Sequence, residues 1–336
     1  MTAGAAQGRG QDDANAPDLP PPARLSWRSG DRWRLGAGIL LLLGLALAVH
    51  ALVGWARVLG AWGAVSLPGL GVALALGAAG YLARGARVHR HFHPATRGRY
   101  GDGVRLVALN TFFNHLVPMR LGEMSFPWLL HRWFGVPAGA GVGALLWLRA
   151  LDFHALGLLA LLGLGLYRGP AELVVPAALL WAALPWAGYR FHARWLPRLE
   201  SLPPARWSRA LVALARGMPA DGRTFRSDCA WTAAAWGLKL GVMAWLLLEL
   251  GAPTPDGALA GALGGELTSV LPIHGVAGAG TYEAGVVAGL SLASPGLPLA
   301  ASLAAAVNVH LFLLGLSALA ALAAGAGTRR RPRDLR

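Results

Sequence analysis

Of the 336 residues, 55% are hydrophobic and only 14% are charged, against roughly 25% charged in soluble domains. That balance excludes an ordinary soluble enzyme or nucleic-acid-binding module and indicates an integral membrane protein. The formal net charge is +14, and since Lys239 is the only lysine, 29 of the 30 basic residues are arginine. They fall in the loops between apolar runs, not on a polar face interleaved with aromatics, so a positive-inside bias accounts for them and no nucleic acid partner is implied. The single cysteine, Cys229, leaves no intramolecular disulfide and no cysteine metal cluster.

Residues 1–34 are polar, basic and proline-rich, and read as a disordered tail. The long apolar run that follows reads as a retained span, not a cleaved signal peptide. Six runs are long enough to cross a hydrocarbon core of about 30 Å, which needs roughly 20 helical residues: 35–56, 65–83, 139–166, 173–189, 231–250 and 299–325. A single membrane domain over 35–325 is expected, closed by a basic tail over 326–336. Arginine clusters at 24–34, 84–105, 190–226 and 329–336 predict four cytoplasmic segments and put both termini in the cytoplasm.

Between those clusters the number of crossings must be even. Runs 139–166 and 173–189 supply two, so the stretch 104–134 must enter and leave on the cytoplasmic side. By the same count, 255–295 must enter and leave on the outer side. Pro118 and Pro127 break the first stretch; Pro272, followed by Gly275, Gly278 and Gly280, breaks the second. Proline removes an amide donor and restricts the residue before it, so each stretch is predicted to be two short helices meeting at an elbow. Non-helical backbone at membrane depth is tolerated where it is buried in protein or lines a wet cavity. The expected fold class is therefore all-α: a polytopic helical membrane protein with about six full spans and two re-entrant broken-helix hairpins in an inverted-repeat arrangement.

The elbows also concentrate polar groups. The first holds Asn110, Asn114, His115, Arg120 and Glu123; the second holds Glu266, Thr268, Ser269, His274, Thr281 and Glu283. Ionisable groups in a membrane cost several kcal/mol each unless paired or hydrated, so they mark candidate sites. Each has a structural alternative: Arg120 and Glu123 as a helix-surface pair, Glu283 as an acceptor for the glycine-rich turn, Glu266 as a protonated interhelical acceptor. Arg149 and Asp152, three apart in an apolar run, can neutralise each other. His154 lies on another face and reads as an interface histidine. Lys239 is expected to snorkel or to meet an acid such as Glu266, and Asn308 and His310 to act as interhelical glue. The run His89 to His93 has no carboxylate near it in sequence except Asp102, so a metal site is not expected there. No phosphate-binding glycine loop, HExxH helix or serine nucleophile elbow occurs, and no cofactor is called for.

The stretch with Asn114, Pro118, Arg120, Gly122 and Glu123, the Arg149-x-x-Asp152 helix, and the later Leu271, Pro272, Gly278, Gly280, Thr281 and Glu283 follow one another in an order that resembles the flippase-like family of the lysylphosphatidylglycerol synthase transmembrane region. The resemblance covers most of 35–325. It implies translocation of a lipid or lipid-linked anionic head group between leaflets of a bacterial cytoplasmic membrane. It does not imply lipid synthesis, since the chain ends at Arg336 without a soluble aminoacyl-transferase domain. A polyprenyl-linked glycan is as plausible a cargo as an aminoacyl lipid. Two other readings stand beside transport: a membrane-embedded enzyme acting on a lipid head group, with Glu123 or Glu283 as base and His115 or His274 assisting, and a non-catalytic partner of a cell-envelope biosynthetic enzyme. The candidate cargo-binding residues are Asn110, Asn114, Pro118, Arg120, Glu123, Arg149, Asp152, Glu266, Ser269, Pro272, Gly278, Gly280, Thr281 and Glu283.

Overall fold

Apolar runs without internal polar partners can satisfy their backbone in a membrane only as helices, and helices are what they form. The computed structural model describes residues 40, 42–116, 122–203, 205–268 and 276–326; the tails, the first elbow around Pro118 and Arg120, and the second around Ser269, Pro272 and His274 lie outside them. Twelve main helices follow: α1 (Leu42–Val53) and α2 (Trp55–Ala64), then α3 (Leu67–His91), α4 (Tyr100–Leu116), α5 (Ser125–Phe134), α6 (Ala138–Arg168), α7 (Ala171–Glu200), α8 (Arg206–Arg216), α9 (Gly222–Glu249), α10 (Pro255–Thr268), α11 (Thr281–Ala293) and α12 (Leu299–Ala326). Among the described residues there is no strand.

Among the described residues five helices, α3, α6, α7, α9 and α12, are long and apolar enough to cross a membrane. The first expected span differs: α1 and α2 meet at 82°, because Gly54 takes φ 83°, a conformation that costs glycine nothing. The bend is held from outside, where Asn308 of α12 donates to the Val58 carbonyl (2.9 Å) and Val49, Val53 and Val58 bury against Leu303, Ala304 and Val307. Asn308 thus is the interhelical glue its position suggested.

Both broken stretches are helical hairpins. Asn110 of α4 donates to the Gly122 carbonyl (3.2 Å) and to Ser125 Oγ (2.9 Å), so the return limb α5 lies along α4. The α10–α11 hairpin is closer still. A Cβ at Gly264 would meet the Gly285 carbonyl oxygen, and one at Gly289 the Ala260 carbonyl oxygen, so here small residues let two backbones touch.

The halves repeat each other. Within the first, α3 packs on α4, α4 on α5 and α5 on α6; within the second, α9 packs on α10, α10 on α11 and α11 on α12. Between halves, α4 packs on α12 while α10 packs on α6, and α3 packs on α9. Exchanging α3 with α9, α4 with α10, α5 with α11 and α6 with α12 maps every one of these neighbours onto another. The equivalent pair α3 and α9 runs antiparallel: Ser66 and Gly69 meet Glu249 and Trp245 at one end, while Arg87 and His91 meet Thr232 and Asp228 at the other. Equivalent helices pointing in opposite directions make the repeat an inverted one. Each half has its own core, Leu106, Leu129, Leu130 and Leu148 in the first and Leu246, Leu247, Leu263 and Leu290 in the second. Helix α7 stays peripheral, with Leu179, Leu180 and Trp186 turned outward.

Candidate functional site

Between the two cores lies a cavity of about 660 Å³, walled by α3, α4, α6, α9, α10, α12 and the inner ends of both hairpins. Among the described residues four fixed cations line it, Arg84, Arg87, Arg149 and Lys239, against three carboxylates, Glu123, Asp152 and Glu266, with His115 and His310 beside them. Charges at this depth persist where they are paired or hydrated, and the pairs are visible. Arg87 reaches Asp152 with both terminal nitrogens (2.5 and 3.4 Å), the fork geometry that suits guanidinium to carboxylate, and donates to Thr232 Oγ1 (2.9 Å). Asp152 also takes Arg149 Nη1 (3.2 Å) and Trp236 Nε1 (3.2 Å). Arg149 Nε lies 3.3 Å from Glu123, and Lys239 Nζ lies 2.6 Å from Glu266.

Arg84 differs. Its Nε donates to the Gly80 carbonyl (3.2 Å) and its guanidinium lies 4.5 Å over the Tyr81 ring, but among the described residues no carboxylate pairs with it. The same motif recurs on the equivalent helix, where Lys239 sits 5.3 Å from the Trp236 ring three residues before it. Each half therefore lends the cavity one cation propped on an aromatic ring, Lys239 paired with Glu266 and Arg84 with no carboxylate among the described residues.

The second hairpin re-enters its return helix through backbone that only a clamp makes affordable. Ala277 has φ 56°, a left-handed conformation that costs an L-residue roughly 1–2 kcal/mol. His310 Nε2 donates to its carbonyl (3.0 Å) and His310 Nδ1 faces Glu283 Oε1 (2.6 Å). Glu283 Oε2 accepts the Gly280 amide (2.7 Å), the glutamate half of a capping box at the start of α11.

Of the residues singled out from sequence, Asn110, Asn114, Glu123, Arg149, Asp152, Glu266, Gly278 and Thr281 do line the cavity. Pro118, Arg120, Ser269 and Pro272 lie outside the described residues. Gly280 and Glu283 are not on its wall: Glu283 is 2% exposed and serves the turn behind it. Arg149 with Asp152 and Lys239 with Glu266 pair as their spacing and chemistry suggested, and His154 stacks on Trp181 with rings 5.7 Å apart.

Sequence reading missed Arg84 and Arg87. Both read as cytoplasmic-loop arginines, yet α3 runs on through His91 and carries them inward. The available signal was the continuation of helical spacing through Tyr81, Arg84, Val88 and His91 past the end of the apolar run. It also missed the carboxylate of the histidine run: His91 Nδ1 lies 2.8 Å from Asp228, which Trp147 Nε1 also contacts (2.9 Å), on a helix too far along the chain for local sequence to reveal.

No curated protein and no solved structure matches the chain. Residues 35–321 match the family described as the lysylphosphatidylglycerol synthase TM region, and no aminoacyl-transferase domain match accompanies it. With inverted halves, two hairpins and a charged cavity between them, this multi-pass membrane protein belongs to the lysylphosphatidylglycerol synthase TM region family.

Proposed function

We propose that the protein moves a lipid or lipid-linked anionic head group between leaflets, with the cavity as the compartment that shelters the head group from hydrocarbon. One observation carries the reading: at the junction of two inverted halves, four cations face three carboxylates among the described residues, and one of those cations, Arg84, keeps guanidinium donors that meet no carboxylate among them. A phosphate-bearing head group supplies the missing anion, and guanidinium matches phosphate geometry. Lys239, on the equivalent helix, is the second contact offered from the other half. The inverted relation supports exposure of one site alternately to either side. The arginine-rich segments support an orientation with both termini on the cytoplasmic side, and the resemblance to the family supports a bacterial inner membrane.

The test is lipid movement in vesicles reconstituted with the purified chain, followed by chemical quenching of an outer-leaflet fluorescent anionic lipid. Arg84→Gln removes a cation without orphaning a carboxylate. It is expected to slow movement roughly tenfold or more, the worth of one hydrogen bond to a charged group. Movement at the wild-type rate in Arg84→Gln and in a Lys239→Met, Glu266→Leu double variant overturns the reading.

A further inference from the structure

A second hollow, about 290 Å³, opens between α6, α7 and α10. Its wall is Phe153, Leu156, Gly157 and Leu161 of α6, Trp181 of α7 and Leu267 of α10. No ionisable group is among them, and the indole nitrogen of Trp181 already donates to the His154 carbonyl (2.9 Å). Two features tie this groove to the charged cavity. Phe153 and Leu156 line both. On α10, Glu266 and Thr268 face the cavity while Leu267 between them faces the groove, so a single turn of helix carries the boundary between the polar and the apolar compartment. The outer side is open: Phe153 is 51% and Leu267 36% exposed.

We infer that this groove is the slot through which one hydrocarbon tail of the cargo leaves the cavity while its anionic head group stays inside. The inference rests on the cavity being the head-group site and adds where the tail lies. An amphiphile is the one ligand chemistry that satisfies both compartments at once: its head meets Arg84 and Lys239, and its tail lies along Phe153, Leu161 and Trp181 without leaving any polar group unpaired. A soluble anion leaves the groove unfilled, and a lipid of the surrounding bilayer fills the groove without regard to the cavity. Gly157 sets the slot's width, because a Cβ there would stand 2.8 Å from the Trp181 ring.

The full chain is reconstituted in phosphatidylcholine vesicles doped with phosphatidic acid carrying a mid-chain diazirine, irradiated, and its labelled residues are mapped. Labels at Phe153, Leu161 or Trp181 are expected to fall roughly tenfold in Arg84→Gln, the loss of one charge-assisted contact, while labels at Leu180 and Trp186 on the outer face of α7 stay constant. Leu161→Trp, which fills the slot, is expected to stop lipid movement; Leu267→Trp fills it from the opposite wall, so a folding defect in one variant is not mistaken for the effect. Slot labels that ignore Arg84→Gln, or normal movement in both filled variants, overturn the slot. If Arg84→Gln abolishes movement while the slot results are negative, only the slot falls; if Arg84→Gln and the Lys239→Met, Glu266→Leu double variant both move lipid normally, the head-group site falls and the slot with it.

Discussion

His310 and Glu283, 27 residues apart, meet with Nδ1 2.6 Å from Oε1, which ties the return limb of the second hairpin to α12. The Ala277 carbonyl can only accept, so Nε2 of His310 carries a hydrogen; the short Nδ1 to Oε1 contact then needs one more proton, whether it sits on the ring or on the carboxyl. Its counterpart in the first half is Arg149 with Glu123 (3.3 Å): in both, a glutamate at the start of a hairpin's return limb meets a nitrogen base on the long helix that follows.

Glu283→Gln is therefore expected to be mild and Glu283→Ala severe. A glutamine offers its carbonyl to the Gly280 amide and its amide hydrogen to a neutral His310, reproducing both bonds. Alanine leaves two buried polar groups unsatisfied, a loss of about 1–3 kcal/mol each. Thermal unfolding in detergent separates the two; equal destabilisation would mean that the negative charge, not the hydrogen-bond pattern, holds the turn.

Asp152 is the junction of the cavity's charges, in contact with Arg87, Arg149 and Trp236. Asp152→Leu strands Arg87, which is 7% exposed, and removing one partner of a buried pair costs about 3–5 kcal/mol. The double variant Arg87→Met, Asp152→Leu removes the stranded charge and is expected to unfold above the single variant, since Arg149 retains Glu123. A double variant no more stable than the single one would show that Arg87 finds water in the cavity.

These contacts explain which parts of the molecule local sequence disclosed. The hairpins were legible because proline and glycine act on neighbouring residues, and the parity of crossings then forced Leu116 and Gly122, or Thr268 and Thr281, to be limbs of one return. Arg149 with Asp152 was legible because three residues is one helical turn. Arg84 was not, because hydropathy ends a helix where charge begins, whereas α3 continues along a cavity wall where Arg87 meets Asp152 and Arg84 the Tyr81 ring. The partnership of Glu283 with His310 was equally hidden: it joins two helices whose relation exists only once the hairpin has folded, so the sequence left Glu283 open between cargo and the glycine-rich turn, whose Gly280 amide it accepts.

The α10–α11 hairpin predicts its own intolerance. Gly289→Ala directs a methyl group at the Ala260 carbonyl oxygen, and Gly264→Ala one at the Gly285 carbonyl oxygen. Backbone cannot swing aside as a side chain can, so each is expected to cost at least the 1–3 kcal/mol typical of overpacking. Gly237→Ala, where nothing lies within 4 Å, is the control and is expected to unfold like the wild type. The comparison is made by the yield of monodisperse protein in detergent and by its unfolding temperature.

At the membrane edge, Asp221 caps α9, accepting from the Arg223 and Thr224 amides (2.8 and 2.9 Å) and from the Thr224 hydroxyl (2.8 Å). The bonds from Thr224 hold its carboxyl below the usual carboxylate range, with the Arg223 amide and charge adding to them. A depressed folded-state value means that the cap contributes its stability above the unfolded-state value and loses it as pH falls through the lower, folded-state one. Asp221→Ala is expected to cost about 1 kcal/mol at neutral pH, the usual worth of an N-cap. The gap to wild type should close in acid, because protonation takes from the wild type what the substitution has already removed. Asp221→Asn, which can still accept the Thr224 amide, should lie between the two and show less dependence on pH. Unfolding temperatures of the three proteins across an acid series decide it: a gap that stays constant into strong acid would show that the ionised carboxylate contributes nothing beyond the shape of the cap.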